Sequence, residues 1–231
     1  MQMKLQEVTS QLRALGTTQN IKTYRRHGAD DNVYGVSFAD LKTMAKKIKV
    51  DHQLALELWD TQIVDARCLA TMIIDCERID ETLANRLLSG LHMSMLVDLL
   101  GGCVAKSPVV MTLIEDWIKS DQDSVRQCGY VALSVCLKSG AISDETAAAF
   151  LQKIEKEIHK SPNRSKHAMN AAVIAIGVHK PKLTDVAIQT AINIGTVKVD
   201  HGDTACKTPN AAAYIKKSVA AKKPKLKTNV T

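Results

Sequence analysis

Aromatic residues make up only 3% of this 231-residue chain, and glycines number 11. So little of either leaves scant material for a β-sandwich, whose strands draw on aromatic side chains and whose turns draw on glycine. No apolar run reaches the ~18 residues that a membrane-spanning helix requires, so none is expected. The start, Met1-Gln2-Met3-Lys4-Leu5-Gln6-Glu7, reads as an ordinary amphipathic helix carrying an acid and not as a secretory signal, so a cytoplasmic location is expected. Six cysteines (Cys68, Cys76, Cys103, Cys128, Cys136 and Cys206) form no CxxC pair and sit mostly in apolar helical runs. They read as buried free thiols of a reducing compartment. GxSxG, HExxH, Walker A and GxGxxG arrangements are missing as well, so hydrolase, zincin and nucleotide-fold readings have no anchor. His52, His92, His159, His167 and His179 are scattered, none beside a Ser or Cys nucleophile in sequence.

What is present is helix-forming. The chain is 45% hydrophobic, with Ala, Leu, Ile, Val, Lys and Glu dominant, enough to bury a substantial core in an all-α fold. The net charge of +7 is unevenly held: Lys216, Lys217, Lys222, Lys223, Lys225 and Lys227 lie in the last stretch without one acid, and setting those six aside leaves +1 on residues 1–215. Any basic face on the folded part must therefore come from segregation of charge, and residues 218–231 are expected to form a basic, disordered tail.

One phrase recurs at three places. An apolar helix ending in Trp59 is followed by a polar turn and then by Asp65-Ala66-Arg67, which opens the apolar run Cys68 to Ile74. The order returns as Leu113, Ile114 and Trp117, a turn, Asp123, Arg126 and the run from Tyr130 to Leu137. A looser copy has Ile154 and Ile158, the turn Ser161-Pro162-Asn163, Arg164, and a helix from Ala168 to Ile176. A helix-turn-helix unit repeating at roughly 30–45 residues is the mark of an α-solenoid. The helical period predicts about a dozen helices, with Ser37, Asp51 and Asp80 as N-caps and Pro108 in the first turn of a helix reaching Lys119.

Each repeat also sets a cation near the start of a helix, where the macrodipole is already positive, and this raises the question of which anion compensates. Arg25, Arg26, Arg67, Arg126, Arg164 and Lys166 are therefore the candidate phosphate contacts. An internal ladder, in which such arginines pair with acids of neighbouring repeats, is the competing reading. The stretch Gly195 to Pro209 breaks the helical pattern; Asp200, His201, Asp203 and Cys206 are ligand-type residues but lack a second ligand pair, and a hydrogen-bonded loop without metal is the expected form.

Several segments resemble the DNA alkylation repair family of HEAT-like proteins, best known for its alkylpurine DNA glycosylases. These are Tyr24-Arg25-Arg26-His27-Gly28-Ala29, Tyr34 to Leu41, Leu58-Trp59 with Asp65 to Ile73, Pro162-Asn163-Arg164, Ala168-Met169-Asn170, Ile174 to Gly177, and Val199 to Pro209. The likeness spans about residues 20–217. It implies HEAT-like repeats forming a curved α-solenoid, a right-handed superhelix with a basic concave groove, as a single domain over residues 1–217. It also implies a monomer that binds double-stranded DNA without a cofactor.

In glycosylases of that family two tryptophans and an aspartate lie against the damaged nucleotide, aromatic faces attracting the cationic base and the carboxylate favouring oxocarbenium-like charge. Carried across, the catalytic aspartate falls on Asp98, whereas the tryptophan positions fall on Ser94 and Ala171. The resemblance thus implies DNA binding in an alkylation-repair context, with excision of cationic alkylated purines weakened or lost. A non-catalytic scaffold holding a protein partner in the groove is the alternative.

Overall fold

The computed structural model describes residues 3–222, and among these every regular element is a helix. By packing, the chain is described as two compact units. One comprises the residues up to Ala132 together with Asp200–Cys206; the other comprises Leu133–Val199 and the residues from Lys207 on.

The first unit begins with α1 (Leu5–Leu15), α2 (Thr18–Arg26), α3 (Phe38–Ile48), α4 (His52–Asp60) and α5 (Val64–Ile73). A 3-10 turn, Cys76–Arg78, leads to α6 (Glu81–Leu88), α7 (Ser94–Val104), α8 (Val110–Trp117) and α9 (Asp123–Ser139), the last of which runs across the division after Ala132. The expected caps are in place: Ser37, Asp51 and Asp80 accept from the backbone N–H of Asp40, Leu54 and Leu83. Pro108, expected in the first turn of its helix, instead lies in the turn before α8, whose N-cap is Val109. Pro108 is exposed, and the first fully buried side chain of that helix is Leu113.

α5 is the hub of this unit, packing on α4, α3, α7 and α1. Seven of its ten residues are buried, which explains why the sequence there is apolar almost all round. The exception is Asp65, whose side chain is fully enclosed. Its two oxygens accept from the backbone N–H groups of Tyr34 at 2.6 Å and Val36 at 2.7 Å. The charge also lies in the first turn of α5, where the helix dipole favours an anion. Around the same Tyr34-Gly35-Val36 stretch, the Tyr24 hydroxyl donates to the Val36 carbonyl at 2.6 Å and the Thr17 N–H to the Gly35 carbonyl at 3.0 Å. Gly35 is obligatory here: its φ is +80°, and a Cβ would stand 2.5 Å from the Thr17 carbonyl oxygen. Enclosure and the neighbouring Asp65 charge push the Cys68 thiol up to about 12, so it stays a protonated core group.

The second unit holds α10 (Asp144–Glu157), α11 (Asn163–His179), α12 (Thr184–Ile194) and α13 (Ala211–Lys222). α11 packs on the other three. Its contact with α13 is close because residue 177 is glycine: a Cβ there would stand 2.6 Å from Ile215 Cδ1. α13 corrects the expected tail. Residues 218–222 continue the helix, and the Lys222 ammonium donates to the Val178 carbonyl at 2.8 Å. The remainder of the expected tail, 223–231, lies outside the described residues.

Asp65→Ala leaves two enclosed N–H groups without acceptors and should lower unfolding free energy by about 3 kcal/mol, measured by urea titration. A loss below about 1 kcal/mol would show that the 34–36 stretch holds without it.

Candidate nucleic-acid interface

The six candidate cations fall into different situations. Arg67 turns back onto the helix before its own: its Nε–H donates to the Trp59 carbonyl at 3.1 Å, and its guanidinium lies over the Trp59 ring at 5.3 Å. Trp59 belongs to the last turn of α4, where the dipole is negative, and its carbonyl also accepts from the Gln62 N–H at 3.2 Å. Burial lowers the Arg67 pKa, while the Asp30 and Asp60 charges oppose that shift. Arg126 repeats the device one unit later. Its Nε–H donates to the Ser120 carbonyl at 2.7 Å, just beyond α8, and its terminal nitrogen sits 3.5 Å from Asp121. Its side chain is only 14% exposed. The compensating groups are thus, for Arg67, the carbonyl in the last turn of α4 and, for Arg126, the Ser120 carbonyl and the Asp121 carboxylate in the turn after α8. The shared spacing in the sequence reflects this local closure.

The others are more open. Arg25 and Arg26 are exposed at the end of α2; Arg25 pairs with Asp31 at 2.7 Å in full solvent, and Arg26 is 3.5 Å from the Thr23 hydroxyl. An exposed pair of this kind contributes little and is easily exchanged for another anion. Arg164 and Lys166 lie in the first turn of α11 and are half-buried, at the positive end of the helix dipole.

Asp98 is exposed on α7. Its Oδ1 accepts from the Gln127 side-chain amide at 2.6 Å, and the same amide nitrogen reaches the Ser94 hydroxyl at 2.8 Å and the Ser94 carbonyl at 3.0 Å. Gln127 is nearly enclosed, at 3% exposure, on α9. The candidate carboxylate and the serine at a tryptophan-equivalent position are therefore joined through one glutamine. Burial, followed by the Asp98 charge, raises the pKa of Cys128, one residue on. The sequence reading passed over Gln127; the available signal was a lone amide beside Arg126 inside an otherwise apolar run. Ala171 is exposed on α11 in the second unit.

Neither tryptophan presents a face to a ligand. Trp59 is 5% exposed and stacked by Arg67, and Trp117 is 3% exposed with its indole N–H donated to Asn85 at 2.8 Å. Tyr214 is the one aromatic among the exposed large hydrophobic side chains of the described residues.

Within the 200–206 loop Asp200 accepts from the Gly202 N–H, the Thr204 hydroxyl donates to the His201 carbonyl, and the Cys206 N–H donates to Thr204. Among the described residues no group of three or more His, Cys, Asp or Glu side chains is arranged to hold a metal. A depression of about 470 Å³ lined by residues including Lys47, His52, Asp75 and Arg78 involves neither Asp98 nor any of the six cations.

Residues 8–215 match the family model described as DNA alkylation repair enzyme, and the chain belongs to that family. Two proteins, the uncharacterized Lin0241 of Listeria innocua serovar 6a and Lmo0209 of Listeria monocytogenes serovar 1/2a, are similar to it. Each is 28% identical over 218 residues, covering 92% of this chain and 96% of its own length. A solved structure from a family related to the HEAT-like repeat DNA glycosylases, with affinity for branched DNA structures, matches with a TM-score of 0.88. It shares 28% identity, with 95% of each chain covered. The helices described above are accordingly HEAT-like repeats, as the recurring phrase and the family resemblance implied.

Arg67→Gln should destabilise the fold by about 2 kcal/mol, because a charge-assisted C-terminal contact and a ring contact go together. Arg67→Lys should recover less than half of that, since a point ammonium lacks the planar face and fixed Nε–H. Full recovery by lysine, measured by thermal or urea unfolding, would reduce the contact to simple charge.

Proposed function

We propose that this protein binds DNA, branched DNA included, through cations at helix ends, and that it does not excise bases. The DNA-binding part is supported by family membership together with the whole-chain likeness to a protein family with affinity for branched DNA. Arg25, Arg26, Arg164 and Lys166 are the phosphate contacts in this reading. Arg67 and Arg126 contribute mainly by fixing their helix pairs, with their remaining N–H groups secondary for DNA.

The observation that carries the absence of excision is the position of the two tryptophans. The chemistry implied by the family resemblance uses indole faces to attract a cationic base, an attraction of about 0.5–2 kcal/mol per ring. Here both indoles are committed to the core. Ser94, at one aromatic-equivalent position, is bonded to Gln127. Asp98 then acts as a partner of Gln127, holding α7 to α9, and has no aromatic-bound cation to stabilise.

Binding to a four-way junction and to a linear duplex of equal length, each over a salt series, tests the first part. Junction binding should be tighter, and both affinities should fall steeply with salt. Arg164→Gln combined with Lys166→Gln should reduce the salt slope by about two. Affinity indifferent to salt would overturn the phosphate reading and favour a groove that holds a protein. For the second part, a duplex carrying a cationic methylated purine should show no enzyme-dependent base release. Asp98→Asn should leave DNA affinity unchanged while lowering stability by about 1 kcal/mol. Release abolished by that substitution would make Asp98 catalytic.

A further inference from the structure

Cys76 and Cys103 lie 27 positions apart in the chain, yet their sulfurs are 3.2 Å apart. Cys76 opens the 3-10 turn after α5 and is half-buried, whereas Cys103 sits in the last turn of α7 and is buried. Both are free thiols. The pair is asymmetric. The hydrogen bond from Cys103, aided by the Lys106 charge, brings Cys76 down to about 7 against its burial and the charges of Asp75 and Glu77. The same hydrogen bond and burial move Cys103 upward. One sulfur is thus a reachable nucleophile, and the other is a sheltered thiol in contact with it. Neither takes part in the Ser94–Gln127–Asp98 group.

We propose that Cys76 and Cys103 form an oxidisable pair in which Cys76 is attacked by a hydroperoxide and Cys103 resolves the product to an intrachain disulfide, tying the 76–78 turn to α7. In the first step the Cys76 thiolate sulfur attacks one peroxide oxygen, and the O–O bond breaks. The departing hydroxide takes the proton that Cys76 had released and leaves as water, so Cys76 becomes a sulfenic acid. The Cys103 sulfur then loses its proton and attacks the Cys76 sulfur; the S–O bond breaks, and hydroxide leaves with that proton as water. Two thiols and one hydrogen peroxide give one disulfide and two waters, the thiols being oxidised and the peroxide reduced. The 3-10 turn is a short element at the surface, which allows the small approach that an S–S bond requires.

The test uses the full chain carrying Cys206→Ser, which removes the exposed thiol that would join molecules to one another. Reduced protein is treated with hydrogen peroxide, alkylated, digested and mapped by mass spectrometry. The expected result is a mass decrease of about 2 Da, two fewer alkylatable thiols, and a dithiothreitol-sensitive peptide joining Cys76 to Cys103. With Cys103→Ser added, Cys76 should stop at a sulfenic acid trapped by dimedone. The proposal is overturned if both thiols remain alkylatable after peroxide treatment, or if the linked peptide joins Cys103 to Cys128.

Discussion

The enclosed carboxylate of Asp65 is the interaction on which much of the first unit depends. It removes a charge from water, and that cost is offset only because two N–H groups and a helix N-terminus converge on it. In return it determines where the Tyr34-Gly35-Val36 stretch lies against α5. That stretch is bonded in turn to Tyr24 of α2 and to Thr17, the N-cap of α2, so α2 takes its place through it. The buried face of α5 is apolar but for Asp65, and that residue's partners give the helix a unique orientation. Several segments that carry the family resemblance, Tyr24, Tyr34 to Ser37 and Asp65, prove to be the parts of this one knot.

A second constraint recurs along the chain. Helices joined by short turns leave unsatisfied carbonyls at one end and place the next helix start nearby. Arg67 and Arg126 each reach back from an early turn of one helix, Arg67 to the Trp59 carbonyl in the last turn of α4 and Arg126 to the Ser120 carbonyl in the turn after α8. A cation at a helix start is therefore stable here without an external anion. The device accounts for the Trp–Asp–Arg phrase as a rule of local closure. It also separates these arginines from Arg25 and Arg26, which are exposed at the end of α2.

Most of the helices were legible because their signals are local. Capping residues at Ser37, Asp51 and Asp80 and the 3.6-residue period mark starts and faces that depend on near neighbours. Pro108 misled because a first-turn preference says nothing about where burial begins. Residues 218–222 misled for the converse reason: a lysine-rich segment has little period of its own, and its helix is held by α11 across a contact that Gly177 makes possible. At the site, Asp98 was legible from the resemblance, whereas its partner Gln127 was not, because the two lie 29 positions apart and meet only when α7 packs on α9.

The sequence by itself determined an all-helical repeat architecture, the capped helix starts and a supply of cations at regular intervals, since each follows from interactions within a turn or two of chain. Only the tertiary structure decided what those residues do. It buried both tryptophans, turned two of the six cations onto helix ends, joined Asp98 to Gln127 and brought Cys76 within 3.2 Å of Cys103. The physical reason is that the availability of a charge, a ring or a thiol depends on solvent exposure and on partners from distant helices, and neither is encoded at the position of the residue itself.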